Sequence, residues 1–124
     1  MEFDNFGLVN DPSNFVHTAR HGEELKDTNM RLVHDRLMPY VKHIHIKDMN
    51  ADGKQVLPGE GVGEIEYMLG EIYKKRPDGK IFVTMEPHLG QANQNDGVTP
   101  FEKYKEAVNA MRTIIRRVYG GGRA

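Results

Sequence analysis

The chain has 124 residues, 17 lysines and arginines against 18 aspartates and glutamates for a net charge of −1, six histidines and no cysteine. That is one domain's worth of material with no overall field to draw it to nucleic acid or to an anionic membrane, and with disulfides, thiolate metal sites and cysteine nucleophiles excluded. No apolar run approaches the roughly 20 residues that cross a bilayer, and Met1-Glu2-Phe3-Asp4 lacks the basic and apolar parts of a signal peptide, so the expectation is a soluble, cytoplasmic protein whose partner is a small molecule.

In chain order, the first predicted strand is residues 6–10 (FGLVN), a short run of apolar and β-branched residues. A long connection covers residues 12–26. A helix of weaker signal lies within residues 27–38, with Leu32, Val33 and Leu37 as its apolar side and Pro39 just past its end. The second strand is residues 41–46 (VKHIHI), followed by a second long connection over residues 48–63. Residues 64–75 form a helix, because Ile65, Met68, Leu69, Ile72 and Tyr73 recur at offsets of three and four. Pro77-Asp78-Gly79 turns this helix into the third strand, residues 81–85 (IFVTM), and a third connection runs over residues 87–98. Thr99-Pro100-Phe101-Glu102 then offers an N-cap threonine, a proline at the first helical position and a capping-box glutamate. Tyr104, Val108, Met111, Ile115 and Val118 make the apolar face of that last helix, which Gly120-Gly121-Gly122 stops. Residues 120–124 are expected to be a flexible tail. Strand, helix, strand, helix, strand, helix is the order of an α/β protein with parallel strands and helices outside, whose functional end lies where the strands finish.

Asp11, His45 and Glu86 each stand at the C-terminal edge of a predicted strand, so three adjacent parallel strands bring two carboxylates and an imidazole to one rim. Oxygen and nitrogen donors without sulfur suit Mn²⁺, Mg²⁺ or Co²⁺, and zinc is compatible with them. The competing reading is three solvated polar residues at strand ends; their matched placement favours a site. His43 lies on the same strand face as His45, one layer deeper, and is expected either in an interior hydrogen bond or near a substrate. Lys47 continues that face and could meet a substrate hydroxyl or phosphate, or be a surface lysine. Residues 58–63 (PGEGVG) lead into a helix, where backbone amides can hold an anion; the alternative is a flexible turn whose glycines adopt unusual angles. His88, two residues beyond Glu86, is a candidate substrate contact or an exposed loop histidine.

Asp11-Pro12-Ser13-Asn14-Phe15, the HIHIKD run from His43 to Asp48, Pro58-Gly59-Glu60-Gly61 and Glu86-Pro87-His88-Leu89 resemble, in order and spacing, the sugar phosphate isomerase/epimerase family of xylose isomerase-like barrels. The resemblance implies three consecutive βα units corresponding to the last three strands of a (β/α)8 TIM barrel, an incomplete barrel in which the whole chain is a single partial domain. In the family the metal is held by a glutamate, an aspartate, a histidine and a glutamate from strands four, six, seven and eight. Asp11, His45 and Glu86 match the last three of these, and Asn14 matches a residue near the substrate. Glu86 then belongs to the pair of glutamates that move a proton through an enediolate of a sugar or sugar phosphate. The first five strands and the other glutamate have no counterpart in the chain. The expected partner is therefore the missing part of the barrel or further copies of the chain, since three parallel strands leave exposed edges. A noncatalytic remnant that acts only as an oligomerising module is the alternative. A relative of metal-dependent abasic-site endonucleases is a third reading, opposed by the neutral charge.

Overall fold

The computed structural model describes residues 6–21, 29–77, 80–90 and 99–120, with backbone alone for 18–21. Its centre is a three-stranded parallel sheet that is not closed into a barrel: β2 (Val41–Ile46) lies between β1 (Leu8–Asn10) and β5 (Phe82–Met85). The three strands lie within the segments expected from sequence, with β1 and β5 trimmed at their starts. β3 (Asp48–Met49) and β4 (Gln55–Val56) form a small antiparallel hairpin beyond the end of β2. The hairpin lies within the long connection expected over residues 48–63. Its turn is made by Asn50, whose side-chain Oδ1 accepts the N–H groups of Asp52 and Lys54, and by Gly53 at φ 79°. Asparagine and glycine supply here the local hydrogen bonds and left-handed backbone that a tight turn demands.

The helices are α1 (Pro12–His21), α2 (Met30–Leu37), α3 (Ile65–Lys75) and α4 (Phe101–Tyr119), with a 3-10 turn, Met38–Tyr40, leading into β2. α1 replaces an expected connection. Asp11 accepts the backbone N–H of Asn14 on its side chain, at 3.1 Å, and Pro12 occupies the first helical position, so the start that reads as turn chemistry is a capped helix N-terminus. The start of α2 is set by Asn29, whose Oδ1 accepts from Arg31 and Leu32. At α4 the expected capping box is not formed: Pro100 stands at the N-cap position, and the Thr99 hydroxyl instead accepts the N–H of Leu89, 2.9 Å away, tying the loop after β5 to the helix start. Residues 121–124 of the expected tail lie outside the described residues, as does the Asp78-Gly79 turn.

Alternation of side chains along β2 sends Ile44 and Ile46 to one face, where they are fully buried. There they join Ile65, Met68, Leu69 and Ile72 of α3 and Met111 and Ile114 of α4 in the main core. Each such side chain contributes about 1.5–3 kcal/mol by leaving water. Two helix faces differ from expectation. α4 turns Ala107, Met111 and Ile114 inward and leaves Tyr104 and Ile115 exposed, and α2 buries Met30 and His34 while Leu32 is exposed. Val16, Met30 and Met49 form a smaller cluster that joins α1 and α2 to the hairpin. Among the described residues the opposite face of the sheet carries no helix: Val9, His43 and Phe82 share one row across the three strands, with Val9 52% and Phe82 78% exposed. No helix among the described residues is long and apolar enough to cross a membrane.

Candidate metal centre

β1, β2 and β5 all end at the same edge of the sheet, and the groups that follow them converge. One ligand atom each from Asp11, His45 and Glu86 lies within 4.8 Å of the other two. His45 Nδ1 is 3.2 Å from Glu86 Oε2 and 3.8 Å from Asp11 Oδ2. Donors about 2.0–2.2 Å from a common cation and roughly at right or tetrahedral angles are separated by about 3–3.5 Å, and the two His45 separations, 3.2 and 3.8 Å, stand near that spacing. The donor set, two carboxylate oxygens and one imidazole nitrogen, fits a divalent ion of the Mn²⁺, Mg²⁺ or Co²⁺ kind.

Backbone contacts hold these three residues in place. Asp11 spends Oδ1 on the α1 cap, which aims Oδ2 at the rim, and the positive end of the helix favours its charge. Glu86 follows β5 directly, and its N–H donates to Ile46 O, which pins it beside the end of β2. His43 lies one row below. Its Nε2 is 2.9 Å from Thr84 Oγ1, and its ring meets the His45 ring edge-on with centroids 4.8 Å apart. His43 is half-buried on the open face of the sheet, where its ring contact braces His45 and its hydrogen bond to Thr84 ties β2 to β5.

The other expected residues reach the rim to different degrees. Lys47 is buried, with Nζ 2.9 Å from Asp11 Oδ2 and 3.9 Å from Glu86 Oε2. It is no surface lysine. His88 sits with Nε2 3.7 Å from Glu86 Oε2 on a left-handed backbone, φ 48°, a conformation that costs a non-glycine residue about 1–2 kcal/mol and is held here beside Glu86. Asn14 is exposed on the first turn of α1 and is joined to the cluster by its backbone N–H to Asp11.

Two supporting groups escaped the sequence reading. Asp48 is fully buried, and its carboxylate accepts the N–H groups of Gly59, Gly61, Gly63 and Met49 at 2.9–3.1 Å. The glycine-rich stretch does cradle an anion on its amides, and the anion is the chain's own aspartate. The spacing of glycines at alternate positions after an aspartate at a strand end is the signal that could have found it. His34 of α2 is the second. It lies between Asn10 Nδ2, 3.1 Å from its Nδ1, and Gly63 O, 2.8 Å from its Nε2. Burial pushes the imidazole below its usual range, against smaller upward pulls from Gly63 O, Glu64 and Asp35. The neutral ring with the proton on Nε2 satisfies both partners. It ties the residue before Asp11 to the loop that Asp48 anchors.

Comparison of the chain with family models, with curated proteins and with solved structures gives no match.

Proposed function

We propose that this chain supplies the last three βα units of a xylose isomerase-like (β/α)8 barrel and part of the divalent-metal site of a sugar or sugar-phosphate isomerase or epimerase. The reading is carried by the convergence of Asp11, His45 and Glu86 from the ends of three adjacent parallel strands. The resemblance of the segments around the same three residues supports it, as does the open sheet face on the side that a barrel would enclose.

Asp11 Oδ2, His45 Nδ1 and Glu86 Oε2 would hold the ion. A bound divalent cation supplies Lewis-acid polarisation of a carbonyl and its neighbouring hydroxyl. Glu86 is the group placed to take a proton from the carbon beside that carbonyl and to return it, worth roughly 10²- to 10⁴-fold in rate for a well-placed base. His88 and Lys47 flank Glu86 and would meet substrate oxygens, and Asn14 stands at the edge of the same opening. The second acid–base glutamate of the family has no counterpart here, so turnover requires a group from outside this sequence. The exposed Val9 and Phe82 give some weight to the alternative of a noncatalytic, associating module.

Calorimetric titration with Mn²⁺ tests the site. Asp11→Asn keeps the α1 cap while removing a charged ligand, and Glu86→Gln does the same at β5. Each is expected to weaken Mn²⁺ binding about tenfold or more, as the loss of an anionic ligand does. Absence of binding by the unaltered chain, or binding indifferent to both substitutions, would defeat the assignment.

A further inference from the structure

Lys47 is the feature of the rim that a site built from Asp11, His45 and Glu86 leaves unexplained. A lysine is rarely buried unless its ammonium is paired, and this one is 8% exposed. Its partners are the same two oxygens that face His45 Nδ1: Asp11 Oδ2 at 2.9 Å and Glu86 Oε2 at 3.9 Å. The placement follows from the strand period, since Lys47 stands two residues beyond His45 and its stem continues along the same face. A cation coordinated by Asp11, His45 and Glu86 would therefore share both carboxylate oxygens with a tethered ammonium, and two positive charges at such a distance in a part-buried site repel strongly.

We propose that Lys47 is a built-in competitor for the cation site: divalent-metal binding displaces its ammonium from Asp11 and Glu86, and this exchange sets both the affinity of the site and its preference for divalent over monovalent ions. The inference rests on the metal reading above. A potassium ion offers the carboxylates the same single charge that it must evict and gains little. A divalent ion offers twice that charge, and His45 adds an imidazole nitrogen that a divalent transition-metal ion takes as a ligand. Once displaced, the ammonium remains on its stem beside the open face, placed to meet an anionic or hydroxyl oxygen of a bound molecule.

The test is titration of the whole chain with Mn²⁺ alone at low salt, for the unaltered protein, Lys47→Met and Lys47→Arg. Methionine keeps an unbranched stem and removes the charge; arginine keeps the charge. Lys47→Met is expected to bind Mn²⁺ about tenfold or more tightly than the unaltered chain, and Lys47→Arg to stay near it. Excess potassium, against choline at equal ionic strength, is expected to weaken Mn²⁺ binding in Lys47→Met and to leave the unaltered chain little changed. A second readout needs no substitution: acylation of lysines, mapped by mass spectrometry, should rise several-fold at Lys47 when Mn²⁺ is saturating and stay constant at the exposed Lys74 and Lys103. Equal or weaker Mn²⁺ binding by Lys47→Met, or a Lys47 acylation rate indifferent to Mn²⁺, overturns the inference and leaves the metal site standing. No Mn²⁺ binding by the unaltered chain overturns both. If Lys47→Met does not fold, acylation of the unaltered chain decides the question.

Discussion

His34 shows how one buried side chain sets a condition on the fold around the rim. Its Nδ1 accepts from Asn10 and its Nε2–H donates to Gly63, an arrangement available only to the neutral ring. Burial lowers its folded pKa from the ordinary 6.5. Below that value the unfolded chain takes up a proton that the folded chain refuses. Stability is therefore fully present above about pH 6.5 and falls as pH drops toward the folded pKa. Urea unfolding at about pH 7.5 and about pH 5 is expected to show this loss. His34→Gln should lower stability at the higher pH by about 1–3 kcal/mol, through its poorer hydrogen bonds, and should reduce the drop between the two pH values. An undiminished drop in His34→Gln would assign the acid sensitivity elsewhere.

The elements around the site show what the sequence could and could not express. β1, β2 and β5 are legible as short β-branched runs, and with them the placement of Asp11, His45 and Glu86, because a strand end is a local property. α1 is hidden because proline, serine and asparagine at a helix start are also turn formers, and a two-residue hairpin strand is too short to carry a period. The inward face of α4 is Ala107, Met111 and Ile114; the stripe through Tyr104, Val108, Met111 and Ile115 fits the same helical period, so periodicity alone does not choose between the two faces and packing does. The Lys47–Asp11 pair depends on the spacing of two strand ends and leaves no local trace. Asp48 joins both kinds of information, since its glycine partners are visible in sequence and their amides converge only in the fold. Asn at this position would keep one acceptor oxygen and turn an NH₂ group toward amide donors, leaving them unsatisfied. Asp48→Asn is therefore expected to cost about 2–4 kcal/mol in urea unfolding. Gly61→Ala should be comparably damaging, because its Cβ would overlap the Asp48 carboxylate and Met49 O. Near-native stability in both variants would mean that the loop is not held by Asp48.

At the scale of the whole molecule, the sheet is a half-finished layer. Its helix-covered face is a complete core, whereas the other face offers Val9, the His43 row and Phe82 to solvent, and β1 and β5 are both edges. Exposed strand edges and apolar faces gain by pairing, which native proteins otherwise prevent with charges, prolines or covering elements. Among the described residues β5 has none of these: its four residues are Phe82, Val83, Thr84 and Met85, and the first three are exposed. The expected outcome is self-association through this face. Light scattering at micromolar concentration should give a mass above the 14.1 kDa of one chain. Phe82→Lys, which adds a charge to the open face on the β5 edge without touching the core on the other side, should shift that mass toward the single chain and leave helical circular dichroism intact. A clean monomer before substitution would remove the case for copies of this chain as its partner. An oligomer unchanged by Phe82→Lys would place the contact elsewhere, with the exposed Phe101, Tyr104 and Ile115 along α4 as the next apolar surface to alter.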